Sequence, residues 1–320
     1  MSTTMPRNPF MQLHARVVAF WGMAILLGCI LVSVLLYRLF ASLLPVDALL
    51  SPVLLLLFYG VFGAWLLKFL ERRSISLPAL LGPVPRHWGW SKLALLVLLL
   101  LLCSLGSFLF WFGLRYWLFP EAMTAGLAPS DGSDSSVSSA FVPGANPTSH
   151  GPWSAQMLKF LVLVLGAPLV EETLFRGLIL QRWTVLWGIR PAILLSSLVF
   201  GICHGSNPIG FTVFGLVMAL MYVRTRSLLI PIVCHMLNNA LAEVMLAFTS
   251  TRVMATEDIV AAANNSLWQG VLLLAIALPL LVMFIRQTWP LASADIPYQI
   301  NIQRGLGGPV GRVSRTRLRH

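Results

Sequence analysis

Apolar residues run along this chain in long blocks separated by short polar breaks, and the lengths of the blocks decide the kind of fold. Eight such blocks lie at 17–37, 52–70, 93–119, 157–180, 191–204, 209–223, 228–248 and 267–285. Crossing a hydrocarbon core about 30 Å thick takes about 20 apolar residues of helix. Open strands and loops cannot satisfy their backbone polar groups there. The pattern predicts an all-α fold, a polytopic membrane helical bundle with about eight transmembrane helices. The fifth and sixth blocks are short, which leaves a re-entrant or tilted arrangement open for those two. No internal repeat is evident.

The breaks divide the chain into an N-terminal tail (1–16), a first group of helices (17–119), a long loop (120–154), a core (155–250), a last helix (267–285) and a C-terminal tail (286–320). The loop is rich in Ser, Gly and Pro, carries the acids Glu121, Asp131 and Asp134, and has no Lys or Arg. That composition reads as a flexible segment outside the cytoplasm. An even number of spans puts both termini on one side. If that side is the cytoplasm, 17 of the 22 basic residues lie there, while Arg38, Arg115, Lys159 and Arg252 lie opposite and Arg176 is internal. The formal charge of +11 is then the positive-inside bias of a multi-pass protein of the cell membrane, with both termini cytoplasmic, and no nucleic-acid partner is expected. The tail from Ala292 reads as a solvated, disordered end, with contact to anionic lipid as the second reading. Leu26, Leu27, Gly28 and Cys29 resemble a lipoprotein cleavage box, but the apolar run continues to Tyr37, so a retained first span is expected. Cys29, Cys103, Cys203 and Cys234 all lie in apolar blocks, where a free thiol is a small packing residue and no disulfide framework is indicated.

With 58% hydrophobic and only 10% charged residues, ionisable groups inside the blocks stand out. They are costly in hydrocarbon and mark reaction or transport sites. Glu171, Glu172 and Arg176 sit on the fourth block, His204 on the fifth, and His235 and Asn239 on the seventh. At ~1.5 Å of rise per residue, Glu171 lies roughly 16 Å in from Arg182, His204 roughly 21 Å from Arg190, and His235 and Asn239 roughly 13 to 20 Å from Arg226. Three helices thus deliver polar groups to one level near the midplane. Residues four apart share a helix face, so Glu172 faces Arg176 as a structural ion pair and Glu171 is free to meet another span. Pro168 and Pro231 precede Glu171 and His235, and each removes a backbone donor and opens its helix. Glu243 receives no role.

Glu171-Glu172-Thr173-Leu174-Phe175-Arg176, Phe200 to His204 and His235 to Asn239 read as E-E-x-x-x-R, F-x-x-x-H and H-x-x-x-N. In that order they resemble the motifs of the CPBP (CAAX protease and bacteriocin-processing) family of intramembrane endopeptidases, over roughly 155–250. The resemblance implies a glutamate-type peptidase: Glu171 is the general base, His204 its partner, and His235 with Asn239 stabilise the oxyanion. A carboxylate in a water-poor site is a better base, and preorganised donors stabilise a tetrahedral oxyanion strongly.

The family has also been described as metalloproteases, and Glu171, His204 and His235 are a plausible zinc set. Metal-free chemistry is favoured because neither H-E-x-x-H nor C-x-x-C is present, so no cofactor is expected and zinc is the alternative. A transporter or proton relay would also hold Glu, His and Arg at mid-depth, but usually in two related halves. A non-proteolytic membrane protein, such as an immunity protein, is the third reading. The expected partners are the bilayer and a membrane-tethered protein or peptide substrate.

Overall fold

The computed structural model describes residues 8–40, 46–84, 89–120, 153–205, 207–248 and 256–306. Most of the 120–154 loop and the end of the basic tail lie outside the described residues. All regular structure among the described residues is helical, and the chain is the all-α polytopic membrane bundle that the block lengths predict.

The helices are α1 (Ala15–Phe40), α2 (Val46–Arg72), the short α3 (Leu77–Leu81) and α4 (Trp90–Leu118), then α5, which spans 153–187, and α6 (Ile189–Cys203). There follow α7 (Pro208–Thr225), α8 (Leu229–Phe248), α9 (Thr256–Thr288) and the short α10 (Pro297–Gln303). Six of them, α1, α2, α4, α7, α8 and α9, are long and apolar enough to cross a membrane. The other two blocks, 157–180 and 191–204, became α5 and α6. At ~1.5 Å per residue α6 covers about 22 Å, short of a hydrocarbon core of about 30 Å. α6 is thus shorter than a full span, and His204 follows its last residue.

α5 is one continuous helix with two π-helical stretches, Val162–Gly166 and Thr173–Ile179, on either side of the α-helical turn Ala167–Glu172. Each π stretch rotates the side chains that follow relative to a regular helix, and such insertions recur at functional sites. Pro168, whose ring cannot donate to the carbonyl four residues earlier, lies at the start of the turn after the first stretch. Pro231 behaves differently from the sequence expectation. It falls in the first turn of α8, where N–H groups have no intrahelical partner in any case, and the Ser227 carbonyl accepts from the Thr225 hydroxyl at 3.2 Å. It starts a helix rather than opening one.

Small residues set the close helix crossings, as in lipid, where packing rather than hydrophobic exclusion drives association. α4 and α9 form the most extensive pair; a Cβ on Gly106 would sit 2.9 Å from the Leu273 Cβ. Gly188, at φ +87°, makes the turn from α5 into α6. Asn207 caps α7 by accepting from the Gly210 N–H at 3.1 Å, and its own amide donates to the Ser104 carbonyl and the Ser107 hydroxyl on α4, both at 2.9 Å.

One end of the bundle is knitted shut by polar contacts. Gln181 donates to the Tyr222 hydroxyl at 2.7 Å, and that hydroxyl donates to the Leu80 carbonyl at 3.1 Å. Asn301 of α10 donates to the Ala79 and Arg226 carbonyls at 2.9 and 2.8 Å, and the Leu228 N–H donates to the Leu81 carbonyl at 2.8 Å. A single 3-10 turn, Pro9–Gln12, buries Phe10 edge-on against Tyr298, while Arg182 donates to the Phe10 and Met11 carbonyls. The C-terminal tail, read from Ala292 onward as a solvated end, therefore begins with a folded and partly buried segment, and the described part of the N-terminal tail does too. Apolar anchors, Phe10 in one and Ile296 and Tyr298 in the other, explain the difference.

Candidate active site

The site lies where α5, α6, α7 and α8 converge, with α2 against the outer side of α5. Glu171 and Glu172 are consecutive, so their side chains leave the helix about 100° apart and enter different surroundings.

Glu172 points inward. Its side chain is 0% exposed and pairs with Arg176, itself 2% exposed, at 2.9 Å. The same oxygen, Oε1, accepts a second bond at 2.9 Å from His235 Nδ1. The other oxygen, Oε2, has no partner among the described residues. Arg176 donates its second Nη to the Gly215 carbonyl at 2.8 Å, and its guanidinium lies 4.7 Å from the Phe200 ring centroid, within cation–π range. A Cβ at 215 would sit 3.3 Å from that guanidinium, so glycine there lets α7 come close enough to offer its backbone. The charge pair is thus held by a carbonyl, a ring and an imidazole.

Glu171 points into the opening between helices. Its side chain is 13% exposed; His204, beside it, is 26% exposed. His204 Nε2 lies 3.7 Å and His235 Nε2 3.9 Å from the same oxygen, Oε2. The other oxygen, Oε1, accepts from the Tyr59 hydroxyl at 2.6 Å.

The tautomers follow from the partners. His204 Nδ1 is 2.7 Å from the Phe200 carbonyl, which can only accept, so Nδ1 carries the proton. His235 Nδ1 faces a carboxylate oxygen and carries one for the same reason. In the neutral state both rings therefore turn a bare Nε2 toward Glu171 Oε2. Aromatic faces fix the rings: Phe211 stacks on His204 at 4.5 Å, and Phe214 meets His235 edge-on at 4.8 Å.

Asn239, one turn after His235, donates to the Leu163 carbonyl at 3.0 Å. Leu163 lies in the first π stretch, and Asn239 keeps a second N–H free of that bond. One turn farther along, Lys159 and Glu243 pair at 3.5 Å, both partly exposed. These contacts line one seam between α5 and α8.

The three sequence motifs are therefore brought together: Glu171, His204 and His235 share one oxygen, Glu172 and Arg176 form a buried pair, and Asn239 sits on the adjoining seam. The Tyr59 contact to Glu171, the His235 contact to Glu172 and the rings of Phe211 and Phe214 against the histidines were not anticipated. Tyr59 carries the one hydroxyl in the block 52–70, but helical spacing cannot link residues on different spans. Cys203, read as a packing residue, is exposed at the end of α6, while the other three thiols are buried; all four are unpaired.

As for metal, neutral imidazoles with Nδ1–H engaged and Nε2 free are the form that metal ligands take. Among the described residues, however, no three His, Cys, Asp or Glu side chains are grouped as a set that could hold an ion.

Residues 153–241 match the family described as Type II CAAX prenyl endopeptidase Rce1-like. The chain is also similar to "Putative membrane peptidase YdiL" of Bacillus subtilis (strain 168), 30% identical over 90 residues. That stretch is 28% of this chain and 37% of the relative, so the chain matches little more than a third of the relative's length. No solved structure matches. The likeness to CAAX-type membrane proteases seen in the three motifs is borne out over this segment, which contains every polar group of the site except Tyr59 and Glu243.

Proposed function

We propose that this protein is an intramembrane endopeptidase that hydrolyses a peptide bond of a membrane-associated protein or peptide with water activated by Glu171. The observation that carries the reading is the convergence of His204 Nε2 and His235 Nε2 on one oxygen of Glu171, at 3.7 and 3.9 Å. The 3.7 Å between Glu171 Oε2 and His204 Nε2 leaves room for one water oxygen at about 2.8 Å from both, an ordinary hydrogen-bond length.

In the proposed reaction the water oxygen attacks the substrate carbonyl carbon and gives a proton to Glu171 Oε2. His204 accepts the water's other O–H through Nε2 and so aims the lone pair. His235 acts as the imidazolium: Nδ1–H stays on Glu172, and Nε2–H donates to the oxyanion together with the remaining Asn239 N–H. Two carboxylates, Glu171 and Glu172, are then balanced by Arg176 and His235, which suits a site where unpaired charge is costly. Glu171 returns its proton to the amide nitrogen as the C–N bond breaks, leaving a carboxylic acid and an amine.

No step of the proposed reaction is routed through zinc. The metal alternative is tested by metal content. The orientation belongs to this reading as well: the basic bias supports cytoplasmic termini, and the knitted end then faces the cytoplasm. Reporter fusions after Val84 and at the C-terminus should report inside and one after Ser133 outside; a cytoplasmic Ser133 reporter would reverse the orientation.

The function itself is tested with purified protein in lipid nanodiscs and a quenched library of membrane-anchored peptides. Cleavage by the wild type but not by Glu171→Gln is expected. Equal cleavage by both would exclude Glu171 as the base.

A further inference from the structure

We propose that Tyr59 is a positioning residue for the reaction, fixing which oxygen of Glu171 acts as the base; this rests on the endopeptidase reading above. A glutamate's last torsion joins sp³ to sp² carbon, so it has a broad, two-fold preference and does not by itself hold the carboxylate plane. Within the site His204 and His235 both address Oε2, and neither addresses Oε1. The Tyr59 hydroxyl takes Oε1 at 2.6 Å, the short distance of a hydroxyl donating to a charged oxygen. With Oε1 held from the α2 side, Oε2 faces the two imidazoles.

The backbone is arranged for this contact. α2 passes α5 where both carry glycine: a Cβ on Gly63 would sit 3.1 Å from a Val170 methyl, and one on Gly166 would sit 3.9 Å from the Tyr59 Cβ. Gly166 closes the π stretch that precedes the Glu171 turn, so the irregular helix and the tyrosine meet at one place. The phenol holds the oxygen of Glu171 that the histidines do not address. Tyr59 lies outside residues 153–241, the segment that matches the peptidase family. A working site therefore needs α2 as well as the matched helices.

Tyr59→Phe keeps the ring and removes the donor. With the most readily cleaved quenched membrane peptide, kcat should fall about 10- to 100-fold, the scale of losing a hydrogen bond to a charged group, with KM unchanged. The second measurement does not need turnover. In protein carrying ¹³C-labelled glutamate, the infrared difference between wild type and Glu171→Gln isolates the Glu171 carboxylate band, and Tyr59→Phe should shift it. An unmoved band, an unchanged kcat, or a rise in KM alone would each overturn the proposal. So would failure of Tyr59→Phe to accumulate as folded protein, which would mark a structural tyrosine. A wild type that cleaves no peptide would defeat the endopeptidase reading instead, leaving the infrared measurement to decide the Tyr59–Glu171 contact.

Discussion

Glu171 and Glu172 are separated by one peptide bond, yet one half of the site is sealed and the other open. Glu172 is enclosed by His235 and by Arg176, which the Gly215 carbonyl holds, at 0% side-chain exposure. Glu171 faces an opening shared with a 26%-exposed histidine. His235 joins the halves: Nδ1 is bound to the sealed carboxylate, and Nε2 faces the open one. The difference teaches a division of labour. Hydrolysis needs a carboxylate that water can reach, and a histidine can be aimed only by a partner that does not move.

The comparison breaks first on activity. Glu171→Gln should remove a general base, about 10²- to 10⁴-fold in rate, while the protein still accumulates and melts near the wild type. Arg176→Met and Glu172→Gln should do the reverse in character. Each leaves a buried group without its partner, which typically costs about 3–5 kcal/mol in the charged case, so thermal stability and membrane abundance should fall along with activity. Equal stability loss in Glu171→Gln and Glu172→Gln would erase the distinction between the halves.

His235→Ala and Asn239→Ala sharpen it. As oxyanion donors each should raise the barrier by about 2.7–4 kcal/mol, read from kcat, without changing metal content. Activity should survive exhaustive chelation, and purified protein should carry substoichiometric zinc. Stoichiometric zinc that departs with either histidine would replace the water-activation chemistry by a metal one and leave the membrane site in place.

The smallest effect is expected at the rim of the seam. Lys159 and Glu243 pair at 3.5 Å with 39% and 24% exposure, and a pair of that kind is worth about 0–1 kcal/mol. Lys159→Ala should shift the melting temperature little. A loss as large as that of Arg176→Met would mean that the open half is also held by charge.

Much of this was legible in the chain itself. Block length gave membrane helices because backbone polar groups have no partner in hydrocarbon. The spacing of four put Glu172 beside Arg176 because an α-helix repeats at 3.6 residues, and polar groups stood out at 171, 204, 235 and 239 because the surrounding composition made them costly. Where these local rules did not reach, tertiary structure decided. The C-terminal tail looked polar on average, yet Tyr298 anchors it against Phe10. Pro231 looked like a break within a span because the helix start at Leu229 is not marked in the apolar run.

The sequence by itself determined a helical membrane protein, which polar residues stand inside its apolar blocks and which of them share a helix face. All of these follow from periodicities within one segment. Only the tertiary structure decided that His235 bridges the two glutamates, that Asn239 meets the Leu163 carbonyl of a π stretch, and that Tyr59 reaches Glu171 across 112 positions of chain. Those contacts depend on how whole helices cross, set by glycines at the crossing points and by the rotation that π turns impose, and no spacing along a single helix encodes them.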